Sequence, residues 1–165
     1  MVEGKGSMKF VRNILIVSML VLLVGCSAGG KPFGGLEKPD KSYAQVYVYR
    51  PSALQQSGIF PDMELDSKFF GKLKNGGYLS IKAEPGEHKL AVAGNYIQWN
   101  YSPRTFDVNF EGGKTYFYRL QPFTAPGGGY AGGVFLANYQ YSFIRIEDEA
   151  AALADLKKLK ESVDQ

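Results

Sequence analysis

Residues 42–50 read Ser-Tyr-Ala-Gln-Val-Tyr-Val-Tyr-Arg, and this stretch decides the fold class. Its side chains alternate, so Ala44, Val46 and Val48 share one face while aromatic and polar residues share the other. A period of two predicts a β-strand, and valine and tyrosine are favoured in strands. The folded part of the chain therefore begins with a strand that has one aliphatic face and one aromatic face.

Similar strand patterns follow this stretch and are separated by turn signals. We predict further strands at Met63 to Leu73 (a hairpin around Asp66-Ser67-Lys68), Tyr78 to Ala83, His88 to Ala93, Phe106 to Phe110, Thr115 to Leu120 and Tyr139 to Ile146. Glu84-Pro85-Gly86-Glu87 suits a type II turn, and Glu111-Gly112-Gly113-Lys114 indicates another hairpin. The glycine-rich residues 124–133 predict a mobile loop. Together these patterns predict a mainly β domain, an antiparallel β-sandwich of about seven to eight strands.

The period of the apolar residues changes at the C-terminus. From Glu147 to Val163 they recur at steps of three and four, which is typical of a helix. Acidic residues come first and lysines come last, and this order complements the helix dipole. We predict one C-terminal amphipathic α-helix packed on the sandwich. The alternative is a helix whose apolar stripe docks on another protein.

The first 25 residues have the composition of a secretory signal peptide. Lys9 and Arg12 precede an apolar stretch from Ile14 to Val24 that contains a single polar residue. At about 1.5 Å per residue, this stretch reaches roughly half of a hydrocarbon core about 30 Å thick, so it is too short to span a membrane. A basic region, a short apolar region and small residues are the parts of a signal peptide. The pattern leaves open whether the chain starts at Met1 or Met8.

The end of this segment, Leu23-Val24-Gly25-Cys26, resembles the bacterial lipobox. The resemblance implies cleavage between Gly25 and Cys26, transfer of a diacylglycerol to the Cys26 thiol and acylation of the new amino group, for example with palmitate. Two or three acyl chains form an essentially permanent membrane anchor. In lipoproteins of enteric-type bacteria, serine after the cysteine, here Ser27, favours the outer membrane, facing the periplasm. The alternative is an ordinary signal peptide followed by an incidental cysteine.

Removal of residues 1–25 divides the chain and lowers its charge. The full sequence has 19 basic and 16 acidic residues, and the removed part holds three basic residues and one acidic residue, so the mature net charge is +1. This charge is too small for a typical nucleic-acid binder. A single cysteine excludes an intramolecular disulfide and a cysteine-based zinc cluster. Residues 26–40, with four glycines and two prolines, predict a flexible tether, and residues 41–165 form the domain.

Four stretches of strand and turn residues carry a family resemblance: Val46 to Ser52, Glu64 to Leu73, Asn75 to Tyr78 and Glu84 to His88. Over about residues 43–125 the chain is similar to the bacterial lipoproteins grouped as domain of unknown function 2846. Glu84-Pro85-Gly86-Glu87 also resembles, more loosely, small β modules of the cell envelope named for a Pro-Glu-Gly-Ala motif. Both resemblances concern turns and strands, so they supply no catalytic residues.

The segment with the strongest binding chemistry is residues 96–101, which contain Tyr96, Trp99 and Tyr101. Aromatic faces beside amide groups are the surface chemistry that binds glycans, peptides and protein partners. We predict that these three residues bind, if any segment of the domain does. The alternative is a core strand or an inward-packed loop.

Other motifs point away from catalysis and cofactors. Asp62, Glu64 and Asp66 alternate along one strand face, and they fail the EF-hand pattern, so we expect a solvated face and no metal. His88 stands alone in the sequence, so we expect a strand-edge residue and no catalytic role. Residues 127–132 fit the spacing G-x-G-x-x-G, but an extended apolar stretch follows where a nucleotide site needs a helix, so we expect no nucleotide.

These observations lead to one functional expectation. We expect a non-enzymatic, lipid-anchored periplasmic β-sandwich without a cofactor, which interacts with the membrane through its lipid and with an envelope protein or glycan of unknown identity. The alternatives are a glycan- or peptide-binding module acting through the Trp99 segment and an envelope hydrolase. A hydrolase would need carboxylates such as Asp62, Glu64 or Asp107 to converge in a cleft.

Overall fold

The computed structural model describes residues 27–54, 56–94, 103–131 and 134–163. In these ranges the elements are β1 Ala44–Arg50, β2 Asp62–Leu65, β3 Lys68–Lys72, β4 Gly77–Ala83, β5 Gly86–Ala93, β6 Arg104–Phe110, β7 Thr115–Ala131, β8 Val134–Arg145, α1 Glu149–Leu156 and β9 Lys160–Glu161. The predicted mainly β fold with a C-terminal helix is confirmed. No helix among these residues is long and apolar enough to cross a membrane.

The strands form two sheets, which pack face to face. The five-stranded sheet has the order β8-β7-β1-β4-β9, and the four-stranded sheet has the order β3-β2-β5-β6. Most pairs are antiparallel, but β1 pairs in parallel with β7, and β4 pairs in parallel with β9. A parallel pair needs a long crossover connection. Here the strands of the four-stranded sheet lie between β1 and β7 in sequence, and they provide that crossover.

Strand β1 lies at the centre of the molecule, and both of its faces are buried. Its aliphatic residues Ala44, Val46 and Val48 are fully buried between the sheets, together with Met63 and Leu90 from the other sheet. On the opposite face, the rings of Tyr47 and Tyr49 pack in a second apolar cluster against α1 and its neighbours. The two predicted faces are thus confirmed, and each belongs to a different core.

The hairpin predicted at Glu111-Gly112-Gly113-Lys114 is wrong. The turn itself forms, with a backbone bond from Lys114 N to Glu111 O, but it joins β6 of one sheet to β7 of the other. The Pro85-Gly86 turn likewise connects β4 to β5 across the sandwich. Local turn chemistry specifies a change of direction. Whether the flanking strands then pair or face each other across the core depends on where their buried sides lie.

The mobile loop predicted over residues 124–133 is also wrong for its described part, because β7 continues through it to Ala131. Strands β7 and β8 form a long antiparallel hairpin, with a register shift between Ala125 and Gly129. Since Arg119 of β7 pairs with Tyr49 near the end of β1, the rest of the hairpin extends past that end. Glycines that favour a loop are tolerated here because their backbone groups pair with β8 and a bulge absorbs the extra residues.

The C-terminal helix is shorter than the predicted range. It begins after Asp148, whose carboxylate accepts bonds from the backbone N–H groups of Ala150 and Ala151, and it ends at Leu156. Its buried residues Ala152 and Leu156 pack on the aromatic face of β1. Beyond the helix the chain forms β9, which covers the edge of β4. An exposed strand edge is readily paired, and that pairing ends the helix early.

The flexible tether predicted over residues 26–40 is corrected for its described residues. Gly30 N donates to Glu161 O of β9 at 3.0 Å, and the ring of Phe33 lies edge-on to Tyr47 and Tyr78, at 5.8 and 5.4 Å between centroids. Residues 27–37 therefore lie along the edge of the five-stranded sheet. Glycine and proline in this segment indicate the absence of a helix, but the aromatic surface and the free edge of β9 hold it in place.

Candidate functional site

Five residues of the predicted sites lie outside the described residues: Gly25, Cys26, Tyr96, Trp99 and Tyr101. Their roles stay predictions. The structure does describe Ser27, which follows Cys26 and forms a bridge with Asn75 at one end of the sandwich. We call it the Asn75 end, because Asn75 connects its parts.

Asn75 joins the start of the described chain to the β1–β2 loop, residues 51–61. Its backbone oxygen accepts from Ala28 N at 3.0 Å, and its side-chain oxygen accepts from Ala53 N at 2.9 Å. Asn75 and Ala28 are both buried. One residue thus holds the N-terminal segment and the loop together.

The C-terminal part of the chain meets the same place through Gly77. A Cβ atom at Gly77 would lie 2.9 Å from Ala28 Cβ and 3.0 Å from Lys74 O, and it would also meet the hydroxyl of Ser162. That hydroxyl accepts a bond from Lys74 N at 3.2 Å. The absence of a side chain at Gly77 lets the two ends of the described chain approach each other.

The β1–β2 loop is held by a buried arginine. Arg50 is 0% exposed, and its guanidinium donates to Gln56 O at 2.7 Å and to Ile59 O. In contrast, the Leu54 side chain in the same loop is 98% exposed. The loop therefore has a fixed base and presents an apolar residue to the surroundings.

The opposite end, which we call the His88 end, contains a cluster of polar groups around His88. His88 Nδ1 lies 2.6 Å from Asp66 Oδ2, and Nε2 lies 2.7 Å from Glu84 O. Both partners are acceptors, so both ring nitrogens must carry a proton to satisfy them. Burial opposes the charged ring, but these two hydrogen bonds outweigh it and raise the pKa of His88 above 6.5. The bond from His88 also lowers the pKa of Asp66.

This geometry makes His88 a structural clamp. It ties the β2–β3 turn to the β4–β5 connection, and its ring stacks on Phe110 at 5.4 Å. An imidazolium that donates from both nitrogens has no lone pair with which to act as a base. Sequence reasoning missed Asp66 and Glu84 as partners of His88. Asp66 is at the turn of the predicted hairpin, but β3 and β4 lie between Asp66 and His88 in sequence.

The clamp predicts that stability falls at alkaline pH. The pKa of His88 is higher in the folded state than in the unfolded state, so protonation of His88 stabilises the fold. This stabilisation is complete at pH values below the unfolded pKa near 6.5, and it is lost as the pH rises through the folded-state pKa. Hydrogen bonds to charged groups contribute about 1.5–3 kcal/mol. Because Asp66 is half exposed, we expect solvent screening to reduce the stabilisation from this pair to about 1 kcal/mol. Urea unfolding at pH 6 and pH 9 measures the difference.

His88→Gln is the control for this prediction. The chain has a single histidine, so the loss of stability between pH 6 and pH 9 should disappear in this variant. Asp66→Asn keeps an acceptor but removes the charge, so it should reduce the difference. An unchanged pH dependence in His88→Gln would contradict the assignment.

A shallow depression of about 490 Å³ lies beside the clamp. Its lining residues are Asp66, Glu87, His88, Lys89, Asp107, Val108 and Asn109. Asp107 accepts from Lys89 Nζ at 2.8 Å on the exposed face of the sheet. His88 is paired with Asp66 and Lys89 with Asp107 in this depression.

The three carboxylates that a hydrolase would require do not converge. Asp62 pairs with Lys72 at 2.6 Å, and Glu64 lies on the same strand, β2. Asp107 lies on β6, with β5 between them, so at about 4.8 Å per strand it is roughly 10 Å or more away. Within the described ranges, no group of three or more His, Cys, Asp or Glu side chains could hold a metal ion.

Comparison with known families agrees with this picture of a fold without assigned chemistry. Residues 40–134 match the model of a family described as protein of unknown function, DUF2846. This range is more than half of the chain, and it extends from just before β1 to the start of β8. No curated protein matches the sequence. The predicted family resemblance is confirmed, over a slightly wider range than expected.

Proposed function

The chain belongs to the DUF2846 family, and we propose that it is a lipoprotein of the bacterial cell envelope, anchored through Cys26, whose β-sandwich binds an envelope partner without catalysis. One observation carries the proposal. The single cysteine of the chain ends a lipobox-like stretch, Leu23-Val24-Gly25-Cys26. Ser27 following the cysteine favours the outer membrane, with the domain in the periplasm.

The surface best suited to a protein partner is the outer edge of β8. In the described part of the chain, β8 pairs with β7 alone and forms the border of the five-stranded sheet. A free edge offers backbone N–H and C=O groups to an added strand. Phe123, 41% exposed on the neighbouring strand β7, adds apolar surface beside it.

The anchor is tested by labelling the protein with a fatty-acid analogue in a bacterial host. We expect wild-type protein to take up the label and to sediment with outer membranes, and mass spectrometry should find the acyl chains on Cys26. Cys26→Ser should lose the label and leave the membrane fraction almost completely, because a single apolar segment of this length does not span.

Ser27→Asp is a matched control, since it changes the neighbouring residue and retains the thiol. It should still be acylated, and in an enteric-type host it should move to the inner membrane. Unacylated wild-type protein, or a Cys26→Ser protein that stays in the membrane, would refute the anchor.

A further inference from the structure

The chain begins its contact with the domain at once after Cys26. Ala28 is 5% exposed and bonded to Asn75, and Ser27 forms a bridge with the same residue. Two residues span at most about 7 Å. A lipid on Cys26 would therefore lie within a few ångströms of the Asn75 end, and the domain would rest on the membrane surface.

The β1–β2 loop lies at this attachment point. Ala53 N bonds to Asn75 Oδ1, so the residue next to Leu54 shares a partner with Ala28. Ser52 lies close to Gly76, since a Cβ built there would be 3.4 Å from Ser52 Cβ. Leu54 is thus located beside the place where the lipid would emerge.

An exposed leucine is ordinary on a protein surface. Leu54 differs because its loop is fixed from both sides: Asn75 bonds to Ala53, and the buried guanidinium of Arg50 bonds to two carbonyls beyond it. Its side chain, 98% exposed, therefore lies between points of the chain that are held by hydrogen bonds on both sides. An apolar side chain held next to a lipid anchor faces acyl chains at very high effective concentration.

We infer that Leu54 inserts into the boundary between headgroups and acyl chains beside the Cys26 anchor, and that it sets the orientation of the domain with the Asn75 end against the membrane. This inference rests on the proposed lipid anchor. Interfacial insertion reaches about 5–10 Å into the membrane, which a leucine on a protruding loop can attain. The His88 end would then face away from the membrane.

The single cysteine makes the test direct. Once Cys26 carries a lipid on its sulfur, the mature protein has no free thiol, so Leu54→Cys can be labelled selectively with an environment-sensitive fluorophore. Glu84→Cys, exposed at the His88 end, is the matched control. The acylated full-length product is reconstituted in vesicles of phosphatidylethanolamine and phosphatidylglycerol that carry nitroxide-labelled acyl chains.

We expect a blue-shifted emission and at least about twofold quenching by the nitroxide lipids at position 54, where an inserted label lies within the depth typical of interfacial segments. The fluorescence of the label at position 84 should be quenched by iodide in solution and not by the nitroxide lipids. Equal behaviour at the two positions in acylated protein would overturn the inference and leave the anchor intact. A label at position 54 that is shielded from iodide but is not quenched by the nitroxide lipids would also overturn the inference and leave the anchor intact.

The anchor has its own readout in the same preparation. Mass spectrometry of the wild-type protein reports acylation, and a thiol reagent should label wild-type protein only if Cys26 is unmodified. Unacylated protein would refute both the anchor and the inference.

Discussion

Arg50→Ala should destabilise the domain by about 3–4 kcal/mol, which is in the range for large buried side chains replaced by alanine. The side chain is fully buried at the end of β1. Its removal leaves a cavity and deprives the carbonyls of Gln56 and Ile59 of a charged donor. Hydrogen bonds to charged groups contribute about 1.5–3 kcal/mol. Urea unfolding followed by far-ultraviolet circular dichroism measures the loss.

Arg104→Ala is a matched control for the same change at an exposed position. Its guanidinium lies 5.2 Å from the ring of Tyr141, and exposed contacts of this kind contribute about 0.5–1 kcal/mol. Arg50→Lys should fall between the two, because an ammonium is a point donor and cannot reproduce the planar fork of a guanidinium. Equal losses for Arg50→Ala and Arg104→Ala would contradict a special role for Arg50.

Gly77→Ala should destabilise the domain by about 2–3 kcal/mol, the usual cost of adding atoms to a packed site. The new Cβ would meet Ala28 at 2.9 Å, Lys74 O at 3.0 Å and the Ser162 hydroxyl. The backbone oxygen cannot rotate away, so we expect the N-terminal segment to be displaced. Chymotrypsin should then cleave after Phe33 faster than in the wild type, in addition to the lower unfolding midpoint.

Gly34→Ala provides the comparison, because a Cβ there meets nothing within 4 Å. Replacing glycine where the backbone permits it stabilises by about 0.4–1 kcal/mol through the unfolded chain. Gly34→Ala should therefore be neutral or slightly stabilising, with unchanged cleavage after Phe33. If both variants behave alike, the close approach of Ala28 and Ser162 at Gly77 is not required for stability.

Part of the candidate site follows from local sequence, and part depends on contacts between distant segments. The turn at Asp66 and the turn at Pro85 are both visible in the sequence, but the contact of His88 with Asp66 needs β5 to be placed beside β2. Leu54 carried no signal in the sequence, because an isolated leucine near Pro51 is equally compatible with burial. Its significance depends on Asn75, which lies beyond two intervening strands.

Some features of this protein are determined by the sequence alone. The alternation in residues 42–50 specifies a strand with an aliphatic and an aromatic face, since side-chain direction in an extended chain follows from the backbone itself. The lipobox-like stretch is also contiguous in sequence, so the proposal of a lipid anchor needs no tertiary contact.

Strand partners and the position of both ends of the described chain were decided only by the tertiary structure. Tight turns fit a hairpin and a crossover equally well, so the parallel pairing of β1 with β7 depends on which faces meet in the core. Residues 27–37 read as a tether because glycine and proline lack a pattern. They are ordered because backbone groups and aromatic rings on distant elements bond to them and pack against them. The local sequence does not indicate these partners.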